Sequence, residues 1–142
     1  MRILALSVLA IVTACGSADP TSPKPGISLV FASTIQDNTK TIVIRALAPR
    51  DNDNVIVTCT SLLSGNPFDE RYNVLQSGSF SYPPVDGSQT LTLADIKNED
   101  GVLIYVAARD SRNALIGEGC QDGVNIKSGE TQDVAIIIYA PK

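Results

Sequence analysis

The chain has 142 residues, with 11 basic side chains against 15 acidic ones and no histidine. That length suits one domain, and the net charge of −4 argues against nucleic acid or an anionic lipid face as a partner. Lack of histidine removes the commonest catalytic base, the Ser-His-Asp triad and most zinc sites together.

Met1-Arg2 supplies one positive charge, and residues 3–12 are then apolar apart from Ser7, ending in Thr13 and Ala14 before Cys15. A membrane-spanning helix needs roughly 20 apolar residues, so this shorter run reads as a signal segment that is removed. The order Val12-Thr13-Ala14-Cys15 resembles the bacterial lipobox. The resemblance implies a bacterial origin, diacylglyceryl transfer to the Cys15 thiol, loss of a signal peptide at 1–14 and acylation of the freed amine. Two or three acyl chains anchor stably where one does not, each buried methylene adding about 0.8 kcal/mol. Gly16 stands where inner-membrane lipoproteins of enteric bacteria usually carry Asp, which favours the outer membrane or cell surface. The alternative is a plain secretory signal that leaves Cys15 an ordinary thiol.

Cleavage at that point leaves 128 residues with 10 basic and 15 acidic side chains. Lipidation of Cys15 leaves Cys59 and Cys120, which an oxidising compartment allows to pair. Across 61 positions such a bridge contributes on the order of 4 kcal/mol in the chain-entropy account; two buried free thiols are the alternative. Residues 16–26 carry Pro20, Pro23 and Pro25 among Ser, Thr, Asp and Lys. The stretch 15–26 therefore reads as a lipidated cysteine and tether, extended at about 3.1 Å per residue and reaching roughly 30 Å from the membrane.

Residues 27–142 form the expected domain. No helix-period segment is evident, and short runs rich in Val, Ile, Thr and Tyr alternate with Gly, Pro, Asn and Asp clusters, the pattern of an all-β fold. The first strand, 27–33, places Ile27, Leu29 and Phe31 on one face, and the second, 41–48, places Ile42 and Ile44 opposite Arg45, with a hairpin-like turn over 36–40 between them. After a turn over 49–54, alternation predicts a third strand with Val55, Val57 and Cys59 facing the core. Residues 62–87 are irregular, broken by Gly65-Asn66-Pro67, Gly78 and Pro83-Pro84, with weak strand signals at 72–76 and 79–82. A strand at 89–93, a loop over 94–101 and a strand at 102–108 that is apolar on both faces follow, the last predicted to be central. Glycines at 117 and 119 allow a bulge or a close backbone approach in the next strand, and the final strand, 133–139, is apolar enough to be predicted central as well.

This spacing predicts a two-sheet antiparallel β-sandwich, with a closed barrel as the alternative. Leu91, Leu93, Ile96, Asp100 and Gly101 followed by 102–108 resemble the strand-corner-strand passage of immunoglobulin-like sandwiches, although the chain has no Trp and neither Val106 nor Ala107 supplies a second cysteine. Gly117 to Cys120, Val124, Ile126, Gly129 and the alternation of Val134, Ile136 and Ile138 resemble the end of prealbumin-like and collagen-adhesin modules. Both resemblances bear on fold alone.

Chemistry is sparse in the pattern. Lys127-Ser128-Gly129 resembles one motif of penicillin-interacting serine enzymes, but no Ser precedes a Lys by three positions, so the nucleophile is missing. Gly117, Gly119 and Gly123 are spaced too widely for a dinucleotide fingerprint. Asp51-Asn52-Asp53-Asn54 gathers oxygen ligands, but Val55 and Ile56 exclude an EF-hand loop, so a solvated turn is expected and neither metal nor cofactor. The expected role is a non-catalytic binding or assembly module, anchored to the membrane by lipid, with an envelope protein or polysaccharide as partner. An accessory carbohydrate or cell-wall binder is the alternative, and a carboxylate hydrolase a third class with no paired acid motif behind it. Residues 62–87 hold four of the seven aromatics, with Asp69, Glu70 and Arg71, so any binding surface is expected there, with Phe68, Tyr72 and Tyr82 as its candidates.

Overall fold

A computed structural model describes residues 26–31, 33–87, 90–127 and 133–142. The predicted signal segment, Cys15 and all of the tether but Gly26 lie outside the described residues. Among the described residues, seven strands and two short helices follow in the order β1 (Gly26–Phe31), α1 (Ser33–Asn38), β2 (Thr41–Leu47), α2 (Cys59–Ser64), β3 (Val74–Ser81), β4 (Thr90–Thr92), β5 (Glu99–Arg109), β6 (Leu115–Ile126) and β7 (Asp133–Ile138). The fold is mostly β, as the alternation predicts.

Four strands form an antiparallel sheet in the order β3-β2-β5-β6, and three form a second sheet in the order β4-β1-β7. The second sheet departs from the all-antiparallel expectation, because β1 runs parallel to β7 from Gly26 opposite Asp133 to Phe31 opposite Ile138. These are the first and last of the described strands, with the other described elements between them, so no tight hairpin dictates their direction.

Period-2 alternation decides which side chains meet. Ile42 and Ile44 of β2 and Ile104 and Val106 of β5 are fully buried and share one cluster with Val134 and Ile136 of β7. β5 is central, as predicted, with every side chain from 102 to 108 at most 1% exposed. β7 is not: it lies at the edge of its sheet, and it buries Val134, Ile136 and Ile138 while leaving Ile137 half exposed. Its apolar composition misleads because an aliphatic side chain on the solvent face is common in folded proteins. At one corner the sheets touch through a two-bond bridge between Glu118 and Tyr139. Gly119 is required there, since a Cβ would overlap the Ile137 carbonyl and the Ile136 side chain.

Three local expectations are corrected. The turn expected at 36–40 is mostly helix α1, closed by Thr39, whose amide and hydroxyl both donate to the Ile35 carbonyl. The third strand expected through Cys59 shrinks to one bridge, between Ile56 and Arg50, and α2 begins at Cys59: Thr58 accepts from the Ser61 amide while the Ser61 hydroxyl accepts from the Thr58 amide, a capping box that starts a helix where alternation alone suggests the strand's end. Val55 and Ile56 are exposed as a result, and Val57 alone of that group is buried by its packing. The two weak strands at 72–76 and 79–82 are one, β3, in which Gly78 accommodates the Phe80 ring and Leu93 lying against its backbone.

Candidate binding surface

Segment 48–73, which connects β2 to β3, folds across the outer face of the four-stranded sheet. Val57, Leu62 and Tyr72 from this segment bury against Leu47, Leu103 and Tyr105 of the sheet. Leu62 and Tyr105 have no exposed surface, and full burial of one such side chain contributes roughly 1.5–3 kcal/mol. β5 is apolar on both faces because it sits between two cores.

Cys59 and Cys120 are bonded, with Cα atoms 5.6 Å apart across 61 positions. The bridge joins the start of α2 to β6, and the Cys59 amide also donates to Asp122 Oδ2 at 3.4 Å. Segment 48–73 is thus held to the sheet covalently as well as by its apolar side chains.

The loop after α2 places Phe68 over the sheet. Asn66 Oδ1 accepts from the Phe68 amide at 3.0 Å, forming an Asx turn, and Arg45 Nη1 donates to the Pro67 carbonyl at 2.6 Å. The Phe68 ring meets Tyr105 edge to face at a centroid distance of 5.8 Å. The guanidinium carbons of Arg45 and Arg109 lie 5.0 and 5.4 Å from the same ring centroid, within cation–π range. Arg45 is held below its ordinary pKa by burial, which the neighbouring Tyr105 partly offsets. Arg109 Nη1 donates to the Asn113 carbonyl at 2.9 Å. Phe68 remains 37% exposed, so the site presents an aromatic edge flanked by two cationic groups.

The other two aromatic candidates stand elsewhere. Tyr72 is 5% exposed; its hydroxyl accepts from Arg71 Nη2 at 2.7 Å, and the Arg71 guanidinium lies 4.8 Å from its ring centroid. Its ring is part of the second core and offers no free face. Tyr82 packs against the first core, on the opposite face of the four-stranded sheet, and its hydroxyl receives a bond from Gln36 Nε2 at 3.2 Å. The structure therefore brings Phe68 and Tyr72 to one side and leaves Tyr82 on the other.

Arg45, Tyr105, Arg109 and Glu118 belong to this surface although they are remote from 62–87 in sequence. Register unites them: Arg45 is opposite Tyr105, which is opposite Cys120, while Ala107 is opposite Glu118. Only the alternation of Arg45 against Ile42 and Ile44 hinted at its side of the sheet. The Tyr105 hydroxyl donates to Glu118 Oε2 at 3.1 Å, and Glu118 also lines an apolar groove of about 360 Å³ with Cys59, Leu63, Tyr139 and Lys142. Two shallower hollows, about 700 and 460 Å³, are lined respectively by Ile35, Lys40, Asp110 and Arg112 and by Asn98, Asp100 and Lys127 among others. Asp51 spends Oδ1 on the amides of Asp53 and Val55, so the cluster 51–54 is a self-bonded turn. Among the described residues no group of three or more His, Cys, Asp or Glu could hold a metal ion, and no helix is long and apolar enough to cross a membrane.

No protein-family model, curated protein or solved structure matches the chain.

Proposed function

We propose that the chain is a lipid-anchored lipoprotein of the bacterial outer membrane or cell surface, whose domain is a non-catalytic binding or assembly module. The anchor rests on Val12-Thr13-Ala14-Cys15, and the tether on the prolines between Cys15 and Gly26. The domain is read as a two-sheet sandwich of immunoglobulin-like or prealbumin-like kind, supported by a core that draws on both sheets. The observation that carries the binding role is Phe68, part exposed between Arg45 and Arg109 on a loop that a disulfide and a second core hold in place. A fixed aromatic beside cationic donors loses little entropy on contact with a partner. The same pairing favours the second reading, an accessory binder of carbohydrate or cell-wall polymer, since a ring and guanidinium donors suit a sugar face bearing acidic groups.

Cell fractionation of Cys15→Ser tests the anchor: the variant is expected in the soluble fraction, and a variant still membrane-bound refutes anchoring. Pull-down from envelope extracts with Phe68→Ala tests the surface, and undiminished capture refutes its role.

A further inference from the structure

The edges of the two sheets are not treated alike. Natural sheets blunt their edges with short strands, charges, bulges or covering segments, because an open edge pairs with any extended chain. β4 has only three residues. β6 carries Asp122 and a positive-φ Gly123, is bridged to Tyr139 and is tied to α2 through Cys120. β7 begins with Asp133 and leads into that same bridge. β3 carries fewer of these devices: Val74–Ser81 is eight residues, VLQSGSFS, without charge or proline, and among the described residues it pairs with β2 alone. It is blunted near one end only, by a register shift at Leu75 and by the Gln76 side chain, which takes the Ser77 amide and donates to the Ala94 carbonyl. Its register is regular from Ser81 to Gln76, the only irregularity falling near Val74.

Its free backbone groups can be assigned. The Ser77 amide bonds to the Oε1 of its own neighbour Gln76, so it points away from β2, and in an antiparallel ladder every second residue points the same way. Ser79 and Ser81 therefore present amide and carbonyl groups to the open edge, where no described turn or loop bonds to them. All three serine side chains are exposed. The edge therefore presents a neutral row of hydroxyls. A strand without charge whose exposed side chains on one face are all serine is complementary to a second copy of itself, since neither like charges nor bulky groups meet when it pairs with its own sequence.

We infer that β3 pairs antiparallel with β3 of a second copy of this chain, setting Ser79 opposite Ser79 of the partner subunit and joining two four-stranded sheets into one. An antiparallel pair of identical strands is two-fold symmetric, the commonest arrangement of homodimers. In this register Ser77 meets Ser81 of the partner subunit, so the outer face carries a row of hydroxyls able to bond across the junction, and no like charges oppose. This pairing does not depend on the lipid anchor or on the Phe68 surface.

The test is cysteine cross-linking in the full chain, where lipidation of Cys15, or a Cys15→Ser background, leaves an introduced thiol unpaired. Residues that exchange both ladder bonds lie about 5.5 Å apart at Cα, within disulfide range. Ser79→Cys is expected to form a covalent dimer at least about tenfold faster than Ser111→Cys on an exposed loop, because pairing holds the two thiols at high effective concentration. Ser79→Lys opposes two charges at the symmetry axis while leaving the bonds to β2 intact. It is expected to shift the mass in sedimentation from dimer to monomer with the far-ultraviolet circular dichroism unchanged. A wild-type chain that is monomeric throughout the micromolar range, a dimer indifferent to Ser79→Lys, or cross-linking no faster than the loop control would each overturn the inference. So would an edge that pairs solely with a foreign strand.

Discussion

The Tyr105 hydroxyl, at the centre of the outer face of the four-stranded sheet, donates to Glu118 Oε2 at 3.1 Å. A residue with no exposed surface thereby places its polar atom against a carboxylate at the rim of the groove. This one bond satisfies the phenol in a core that is otherwise apolar.

Burial is the main reason the Tyr105 pKa is pushed up, with the Glu118 charge next. The folded value then lies above the unfolded one, so the associated stability is fully present below about pH 10 and is lost as pH rises toward the folded value. Urea midpoints measured from neutral to strongly alkaline pH are expected to fall above about pH 10. Tyr105→Phe should flatten that fall and cost about 1 kcal/mol at neutral pH.

The Cys59–Cys120 bridge spans 61 positions and clamps α2. The double variant Cys59→Ala with Cys120→Ala is expected to lose about 2–4 kcal/mol in denaturant unfolding. Hydrogen exchange should rise first in 48–73, the segment that the bridge holds down.

Phe68 and Tyr72 are separated by four positions but have different duties. Tyr72→Ala, at a residue 5% exposed, is expected to cost about 3–5 kcal/mol in thermal or urea unfolding. Phe68→Ala should cost about 1 kcal/mol, since a cation–π contact at a part-exposed site contributes about 0.5–1 kcal/mol, and should lower binding to envelope polysaccharide or protein. If Phe68→Ala proves as destabilising as Tyr72→Ala while binding persists, the ring is structural.

Gly119 sits where β6 passes the end of β7. Gly119→Ala forces a methyl group onto the Ile137 carbonyl, and a backbone obstacle cannot rotate aside. Calorimetry is expected to show a loss of about 1–3 kcal/mol.

Local covalent geometry made part of this legible from residues alone. Alternation in β2 and the two-sided apolar run at 102–108 follow from side chains pointing to opposite faces in turn, so the strand character and central place of β5 could be read directly. The count of cysteines likewise indicated the Cys59–Cys120 pair. Neighbouring residues carry no record of what covers a strand's second face. The segment 48–73 that closes over Leu103 and Tyr105 had to be seen, as did the gathering of Arg45, Arg109 and Phe68 from three separate parts of the chain. Cys59 shows the limit most plainly: its alternation with Val55 and Val57 suggests a strand, but the Thr58–Ser61 cap and the burial of Leu62 favour a helix. The sequence determined that this chain makes strands and where their apolar faces lie. Tertiary structure decided the pairing of β1 with β7, the edge place of β7 and the surface around Phe68, because those depend on cross-strand register and on contacts between residues far apart along the chain.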